Sequence, residues 1–256
     1  MKVITLLTDF GLADPYVGTM KGVILKINPR VSIVDITHAV PSQDVKEAAF
    51  IIKEYYSYFD AGTVHVAVVD PTVGSERRPL ILSKDGQLFV GPDNGIFSHL
   101  IRGSAEIHEI MNRDFMLRDI SSTFHGRDVF APAAAHLASG VPASAFGPAI
   151  ENPVYLARIF PEIVNGVLTG EVARLDRFGN AITNIDIGAF KDFTGNRLFR
   201  ISIGEMIFTS LNQSYYEQDF TCLVGSSGYI EFGQYKGSFA REKGVGKGVA
   251  VRVELP

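Results

Sequence analysis

The first 140 residues alternate between short apolar runs and segments of helical periodicity, and this alternation restricts the possible folds most strongly. Strands are predicted over residues 2–7, 31–37 and 63–69, and helices over residues 16–27 and 42–59. Helices that separate buried strands are typical of parallel sheets with helices packed on both faces. We therefore predict an α/β domain with a mostly parallel central sheet. Ser42 is the predicted N-cap of the second helix.

The second half of the chain has a different pattern. Pro142, Pro148, Pro153 and Pro161 punctuate the chain around residue 150, and we predict residues 151–165 to be a linker. From residue 166 onward, short apolar runs are separated by glycine-rich or polar turns, with no long helical pattern. Such a pattern favours a small all-β barrel or sandwich. The predicted domains are thus an α/β domain over residues 1–150 and a β domain over residues 166–256.

Composition narrows the possible partners and compartments. The chain has 256 residues with 20% charged residues, a net charge of −4 and no basic run. Nucleic-acid grooves and anionic membranes require concentrated positive charge, so we expect neither as a partner. Because we find no signal peptide and no apolar run of about 18 residues, we expect a cytoplasmic protein. A single cysteine, Cys222, excludes an internal disulfide and favours a buried packing role.

The stretch over residues 66–79 places a carboxylate where a strand ends. Four apolar residues precede Asp70, and Pro71 cannot donate a ladder hydrogen bond. Ligands of open α/β sheets bind at the carboxyl ends of strands. The following turn leaves Arg77 or Arg78 able to fold back onto Asp70. On this stretch alone, a loop aspartate with a surface arginine is an equally good interpretation.

Other polar clusters also follow predicted strands or begin helices. They include Asp9 with Asp14, Asp93 with Asn94, residues 125–128 and residues 176–180. Each cluster alone is typical of a turn. A mixed metal site formed by Asp9, Asp70 and His125 remains an alternative. The glycine-rich motifs of P-loop and Rossmann nucleotide sites are absent from the sequence, which disfavours both classes.

Taken in order, seven motifs resemble one family. They are Thr8–Asp14, Met20–Gly22, Asp70–Gly74 with Arg77, Gly91–Gly95, Thr123–Asp128, Asp176–Asn184 and Ser226–Tyr229. The family is that of the S-adenosyl-L-methionine (SAM) hydroxide adenosyltransferases, or adenosine-forming SAM hydrolases, which are relatives of fluorinase and chlorinase. The resemblance extends from residue 3 to about residue 253.

The resemblance implies a nucleophilic substitution in which water displaces methionine from C5′ of the SAM ribose. The leaving group is a neutral thioether, so neither a general acid nor a metal is required, and SAM is a substrate rather than a cofactor. Asp70, Arg77 and His125 match the family's water-activating triad. Asp70 would be the general base or water anchor, Arg77 would orient it and keep it ionised, and His125 would complete the positioning of the water.

The resemblance also implies binding roles. Asp9 matches the carboxylate that accepts from both ribose hydroxyls. The remaining matches are Asp14 and Asp176 near the methionine ammonium, Asn180 at the adenine, and Ser226 and Ser227 at the methionine carboxylate. Relatives are homotrimers whose site lies between the α/β domain of one subunit and the β domain of its neighbour. We therefore expect a homotrimer, with site residues divided between the two domains.

The halogenating branch of the family is disfavoured. Halogenases carry tyrosine where this chain has Asp70, and fluorinase has Tyr-Ser where this chain has His125 and Gly126. A carboxylate beside a halide site would repel the ion. Thr72 stands where the family often has glycine, and Ser227 where fluorinase has arginine. Arg78 lies next to Arg77, and the spacing favours Arg77 as the partner of Asp70. The alternatives in other classes are a SAM or adenosine sensor without turnover and a metal-dependent hydrolase.

Overall fold

The computed structural model describes residues 2–103, 105–195 and 197–256. The chain forms two compact units, one ending at Leu156 and one beginning at Ala157. The first unit is built on a mostly parallel sheet with helices, and the second on an antiparallel sheet. The predicted fold class is therefore confirmed. In the described ranges, no helix is long and apolar enough to span a membrane.

The six-stranded sheet of the first unit has the spatial order β2-β1-β3-β5-β4-β6. Its strands are β1 (Val3–Thr8), β2 (Ser32–Thr37), β3 (Val64–Val68), β4 (Pro79–Lys84), β5 (Gln87–Pro92) and β6 (Glu106–Glu109). The β2, β1, β3 and β5 strands are parallel, while β4 pairs antiparallel with both β5 and β6. Because β2 and β3 lie on opposite sides of β1, the strand order reverses between β1 and β3.

Both faces of this sheet are covered. The helices are α1 (Tyr16–Ile27), α2 (Val45–Tyr55), α3 (Ser98–Ile101) and α4 (Ala131–Ala138). Side chains alternate across a strand, so β3 supplies apolar residues to one core with α1 and α4 and to another with α2 and α3. The prediction of Ser42 as the N-cap of α2 was wrong. The cap is Asp44, whose carboxylate accepts from the Glu47 amide at 2.9 Å.

A buried polar network crosses the first unit. His65 in β3 bonds through Nδ1 to Thr5 Oγ1 at 2.8 Å and through Nε2 to Gln87 Oε1 at 2.6 Å. Gln87 Nε2 in turn donates to the Phe59 carbonyl at 2.8 Å. Burial lowers the pKa of His65 to about 4. The ring is therefore neutral at pH 7, and each of its nitrogens has a protein partner.

The second unit is an antiparallel sheet with the order β11-β10-β14-β8-β9-β13-β12, and β7 pairs with β8. Its strands are β7 (Glu162–Val164), β8 (Val167–Leu175), β9 (Ala181–Asp186), β10 (Arg200–Ile203), β11 (Met206–Phe208), β12 (Phe220–Val224), β13 (Tyr229–Gln234) and β14 (Ala250–Glu254). Two short helices, α5 (Ile187–Thr194) and α6 (Phe239–Lys243), were not predicted. Cys222 is buried in this unit's core, and burial raises the pKa of its thiol.

Candidate active site

Acidic residues follow three neighbouring parallel strands of the first unit. Asp9 directly follows β1, Asp70 comes two residues after β3, and Asp93 directly follows β5. The carboxyl ends of parallel strands lie at the same edge of a sheet. Since the strand order reverses between β1 and β3, Asp9 and Asp70 lie where open α/β sheets bind their ligands.

Asp70 and Arg77 form a buried ion pair. Arg77 Nε lies 3.0 Å from Asp70 Oδ1 and 2.9 Å from Oδ2, and Arg77 Nη2 also donates to Oδ2. The two side chains are only 6% and 4% exposed. The guanidinium carbon lies 5.3 Å from the centroid of the Phe130 ring. Several charge-assisted bonds in a site largely shielded from water hold the carboxylate in one orientation.

Arg78, the other possible partner of Asp70, points elsewhere. Its Nε donates to Asp93 Oδ2 at 2.9 Å, and its Nη1 donates to Asn152 Oδ1 at 2.9 Å. Successive side chains of an extended segment lie on opposite sides, so neighbouring arginines reach different carboxylates. The geometry therefore selects Arg77 as the partner of Asp70, as the spacing favoured.

His125 joins this pair through Arg77. Arg77 Nη2 donates to His125 Nδ1 at 2.7 Å. A guanidinium has only donors, so Nδ1 must carry a lone pair and the ring proton must lie on Nε2. Burial and then the Arg77 charge lower the pKa of His125, whereas the Asp70 and Asp128 charges act to raise it. The ring is accordingly neutral at pH 7.

The segment after His125 is a π-helical turn, Gly126–Phe130, which leads into α4. Such turns are common at functional sites. A Cβ added at Gly126 would lie 3.3 Å from Met20 Sδ and 3.4 Å from the Phe10 ring, so close packing favours glycine here.

Asp128 is a fully buried acid that sequence reasoning grouped with His125 but gave no role. It accepts from the Ser121 amide at 2.8 Å and pairs with Arg127. It thereby holds the loop before His125. The signal in the sequence was a charged residue just before the apolar run that becomes α4.

Gly74 joins the loop of Asp70 to the loop of His125. Its φ is +81°, and an added Cβ would overlap the carbonyl oxygen of Ser122. Both the backbone angle and the close approach require glycine. The loop of Asp70 therefore packs directly on the segment that precedes His125.

A cavity of about 410 Å³ lies against residues that flank His125 in the chain. Its lining consists of Phe10, Tyr16, Ser121, Thr123, Phe124 and Arg127. The rings of Phe10, Tyr16 and Phe124 meet edge to face with centroids 5.2–5.9 Å apart. Mixed aromatic and polar linings of this size are typical of small-molecule pockets, which span about 300–1,000 Å³.

The other predicted residues of the first unit are less enclosed. Asp9 is half-buried, and its Oδ2 accepts from the Gln43 amide at 2.8 Å. Gln43 has a φ of +68°, an uncommon angle for a residue other than glycine. Asp14 is exposed in the loop before α1. Thr72 Oγ1 lies 3.5 Å from Asp70 Oδ1, at the outer limit of a hydrogen bond.

In the second unit, Asp176 and Asn180 form one closed turn. Asp176 Oδ2 accepts from Asn180 Nδ2 at 2.9 Å, and Oδ1 accepts from the backbone amides of Phe178 and Asn180, each at 2.9 Å. Ser226 and Ser227 lie in the turn between β12 and β13, where Ser226 is exposed and Ser227 half-buried.

Glu231 in β13 is a buried carboxyl that sequence reasoning missed. It accepts from the Tyr215 hydroxyl, and burial raises its pKa, with the charge of Asp176 adding to that rise. The signal in the sequence was an acidic residue inside an apolar strand. The structure thus adds a second acid near Asp176.

The described residues contain no group of three His, Cys, Asp or Glu side chains arranged to hold a metal ion. The predicted alternative of a metal site at Asp9, Asp70 and His125 therefore has no geometric support. What the first unit does bring together is the Asp70, Arg77 and His125 cluster.

Comparison with known protein families identifies the family of this chain. The family model of the SAM hydroxide adenosyltransferase N-terminal domain matches residues 4–147, and that of the C-terminal domain matches residues 170–252. The chain belongs to the SAM hydroxide adenosyltransferase family. The predicted family is thereby confirmed, and the protein is an enzyme.

Individual relatives agree with this family. An (R)-S-adenosyl-L-methionine hydrolase from Thermus thermophilus is 36% identical over 271 aligned positions, covering 99% of this chain and all of the relative. A fluorinase from Actinoplanes is 30% identical and covers 72% of this chain and 71% of the relative. The crystal structure of an uncharacterized conserved protein from Thermotoga maritima superposes with a TM-score of 0.89 at 34% identity, covering 98% of this chain and 99% of that one.

Proposed function

We propose that this enzyme hydrolyses SAM to adenosine and L-methionine, with Asp70, Arg77 and His125 as its catalytic residues. The observation that carries the proposal is the buried ion pair of Asp70 and Arg77 beyond the carboxyl end of β3, to which half-buried His125 is hydrogen-bonded. The Thermus thermophilus relative is named for the (R) epimer of SAM, and we propose the same epimer as substrate here.

The reaction is a single displacement. The oxygen of water attacks C5′ of the ribose, and the bond between C5′ and sulfur breaks. The electron pair of that bond moves to the sulfonium sulfur, which leaves as the neutral thioether of methionine. The proton of the attacking water passes to Asp70 and then to solvent. Because the leaving group is neutral, no acid has to protonate it.

The geometry favours Asp70 as the base. Arg77 has no lone pair, and the acceptor nitrogen of His125 is engaged by Arg77 Nη2. Each carboxylate oxygen has two lone-pair sites, so Asp70 retains acceptor capacity beyond its bonds to Arg77. His125 can donate from Nε2 to orient the water. A positioned base of this kind contributes about 10²–10⁴-fold in rate.

The binding roles implied by the resemblance are part of the proposal. Asp9, at the end of β1, would accept from the ribose hydroxyls with the oxygen that Gln43 leaves free. The other roles are those implied by the resemblance. Asp14 and Asp176 would bind the methionine ammonium, Asn180 the adenine, and Ser226 and Ser227 the methionine carboxylate. Asp176 and Asn180 are hydrogen-bonded to each other within one turn.

We further propose that the enzyme is a cytoplasmic homotrimer that uses no cofactor and binds neither nucleic acid nor membranes. The trimer is proposed from the resemblance to the family. Light scattering on the purified protein should give about three times the 27.9 kDa chain mass.

The test of the proposed function is an assay of the purified protein with the (R) and (S) epimers of SAM. Chromatography should show adenosine and methionine in equal amounts, faster from the (R) epimer, with and without a chelator and without added halide. Loss of activity with chelator would favour the metal-dependent hydrolase. Tight SAM binding without product, unaffected by Asp70→Ala, would favour the sensor. A halogenated nucleoside formed only with added halide would favour the halogenating branch.

A further inference from the structure

The segment Gly91–Gly95, which spans the end of β5, contacts both ends of the loop that carries Asp70 and Arg77. At one end, Asn94 Nδ2 donates to the carbonyl oxygen of Val69 at 2.8 Å. Val69 is the residue immediately before Asp70. The side chain of Asn94, in the loop after the neighbouring strand β5, therefore holds the backbone next to Asp70.

At the other end, Asp93 holds the residue immediately after Arg77. Its Oδ2 accepts from Arg78 Nε at 2.9 Å and also from Arg78 Nη2, and its backbone amide donates to the Arg78 carbonyl at 2.8 Å. Its Oδ1 accepts from the Val154 amide at 2.8 Å. The carboxylate of Asp93 is 3% exposed. Arg78 is thus fixed through both its side chain and its backbone.

We propose that Asp93 and Asn94 are positioning residues for SAM hydrolysis, which fix the two ends of the loop Asp70–Arg77 so that the carboxylate and the guanidinium keep their mutual geometry. This inference rests on the proposed function. Both oxygens of Asp93 are engaged by protein donors, so Asp93 acts through Arg78 and the loop rather than on substrate.

Between its two ends, the loop is held by its own turn bonds and by the close approach of Gly74 to Ser122. Thr72 and the residues 74–76 are exposed, and the turn bonds run from the Val73 amide to the Asp70 carbonyl at 3.2 Å and from the Ser75 amide to the Thr72 carbonyl at 3.1 Å. Attack on C5′ requires near-attack alignment, and a displacement of about 1 Å can cost about 10²-fold in rate. Because both ends of the loop are fixed, Asp70 is held in one position although the middle of the loop is exposed.

The experiment uses the full chain with Asp93→Asn, which keeps the shape of the side chain but removes its charge, and Asn94→Asp, which removes the donor to Val69. The matched control is Glu106→Gln, which removes the ion pair with His108 in the same sheet, away from this loop. Thermal unfolding, kcat, KM and an NMR titration of His125 are measured for each variant.

We expect kcat to fall about tenfold to a hundredfold in both variants while KM changes less than about twofold. In Asp93→Asn, the pKa of His125 should rise towards its ordinary value, because Arg77 no longer stays on Nδ1. Glu106→Gln should leave kcat and the His125 titration unchanged. A shift of the titration reports the geometry of Arg77 directly, which a purely structural role of Asp93 would not alter.

A variant that folds with the kcat and His125 titration of the wild type would overturn the proposal for that residue, even if its Tm falls. A rise in KM alone would also overturn it, because the segment would then act in substrate binding. If Asp93→Asn does not fold, we measure Arg78→Lys in its place. This variant keeps the positive charge but loses the paired donation of Nε and Nη2 to Asp93. If the wild type releases no adenosine, the proposed function fails, whereas the His125 titration still tests the contact network.

Discussion

Nη2 of Arg77 donates to Nδ1 of His125 at 2.7 Å, and this contact fixes the protonation of the imidazole. A ring that accepts from a guanidinium at Nδ1 is neutral and carries its proton on Nε2. It can therefore present a donor to a water molecule but cannot take a proton through Nδ1 without losing Arg77. The division of work among the proposed catalytic residues follows, with Asp70 as base and His125 as a donor that orients the water.

Asp70→Asn should lower kcat by about 10²–10⁴-fold with little change in KM, because the amide keeps the shape but cannot take a proton. The measurement is the initial rate of adenosine release over a range of SAM concentrations. Glu76→Gln, which neutralises an exposed carboxylate next to Arg77 in the same loop, is the control and should retain wild-type kcat. Retention of more than about a tenth of kcat in Asp70→Asn would contradict the role of Asp70 as base.

The pH dependence of kcat/KM should show an acid limb set by His125. Burial and Arg77 lower the pKa of this ring, so activity is present above the lowered pKa and lost as the pH falls through it. The protonated ring has no lone pair for Arg77 and places a like charge beside it. An NMR titration should give the same midpoint, below the ordinary value of about 6.5. A midpoint at or above that value would contradict the contact.

Gly74→Ala should reduce both stability and kcat. The positive φ alone costs about 1–2 kcal/mol, and the new Cβ would overlap the carbonyl oxygen of Ser122. Gly140→Ala is the matched control, since its φ is +97° but no atom lies within 4 Å of its added Cβ. Thermal unfolding should show a loss in both variants, and kcat should fall in Gly74→Ala alone. Equal kcat values would contradict the coupling of the two loops at Gly74.

His65 should make stability depend on pH between neutrality and about pH 4. Its pKa is about 4 in the folded chain and about 6.5 when unfolded, so the unfolded state binds more protons in this window. Its contribution is complete above pH 6.5 and is lost as the pH falls towards 4, by about 3 kcal/mol in all.

Urea unfolding at pH 7 and pH 4.5 measures this contribution. His65→Phe keeps a ring beside Phe89 but cannot titrate. It should be less stable at pH 7, because Thr5 and Gln87 each lose the hydrogen bond to His65, and its stability should depend less on pH. An unchanged pH dependence in the variant would contradict the assignment.

The sequence alone located Asp70 because an apolar run followed by proline marks the end of a buried strand. Spacing favoured Arg77 over Arg78 as its partner, but the sequence could not show what Arg78 contacts, because Asp93 meets Arg78 only after β4 and β5 pair. The N-cap of α2 was misplaced by two residues for a related reason. Ser42 and Asp44 are both good caps, and only the backbone path decides between them.

The strands of the second unit were harder to predict because polar residues interrupt their apolar runs. Strand β9 contains Thr183 and Asn184, which are buried yet polar, and this hid its strand character. Thr183 Oγ1 donates to the Ile230 carbonyl at 2.8 Å, a partner on another strand. Helix α5 is only eight residues long, too short for a clear helical period. Both features depend on contacts between distant parts of the chain.

The most direct test of water attack at C5′ is hydrolysis of SAM in water enriched in ¹⁸O, followed by mass spectrometry of the adenosine. Attack of water at C5′ predicts that the 5′-hydroxyl oxygen carries the label and that adenosine gains 2 Da, an increment that follows from the isotope, with no label in methionine. Adenosine that forms without the label would contradict direct attack by water, and the absence of adenosine would contradict hydrolysis itself.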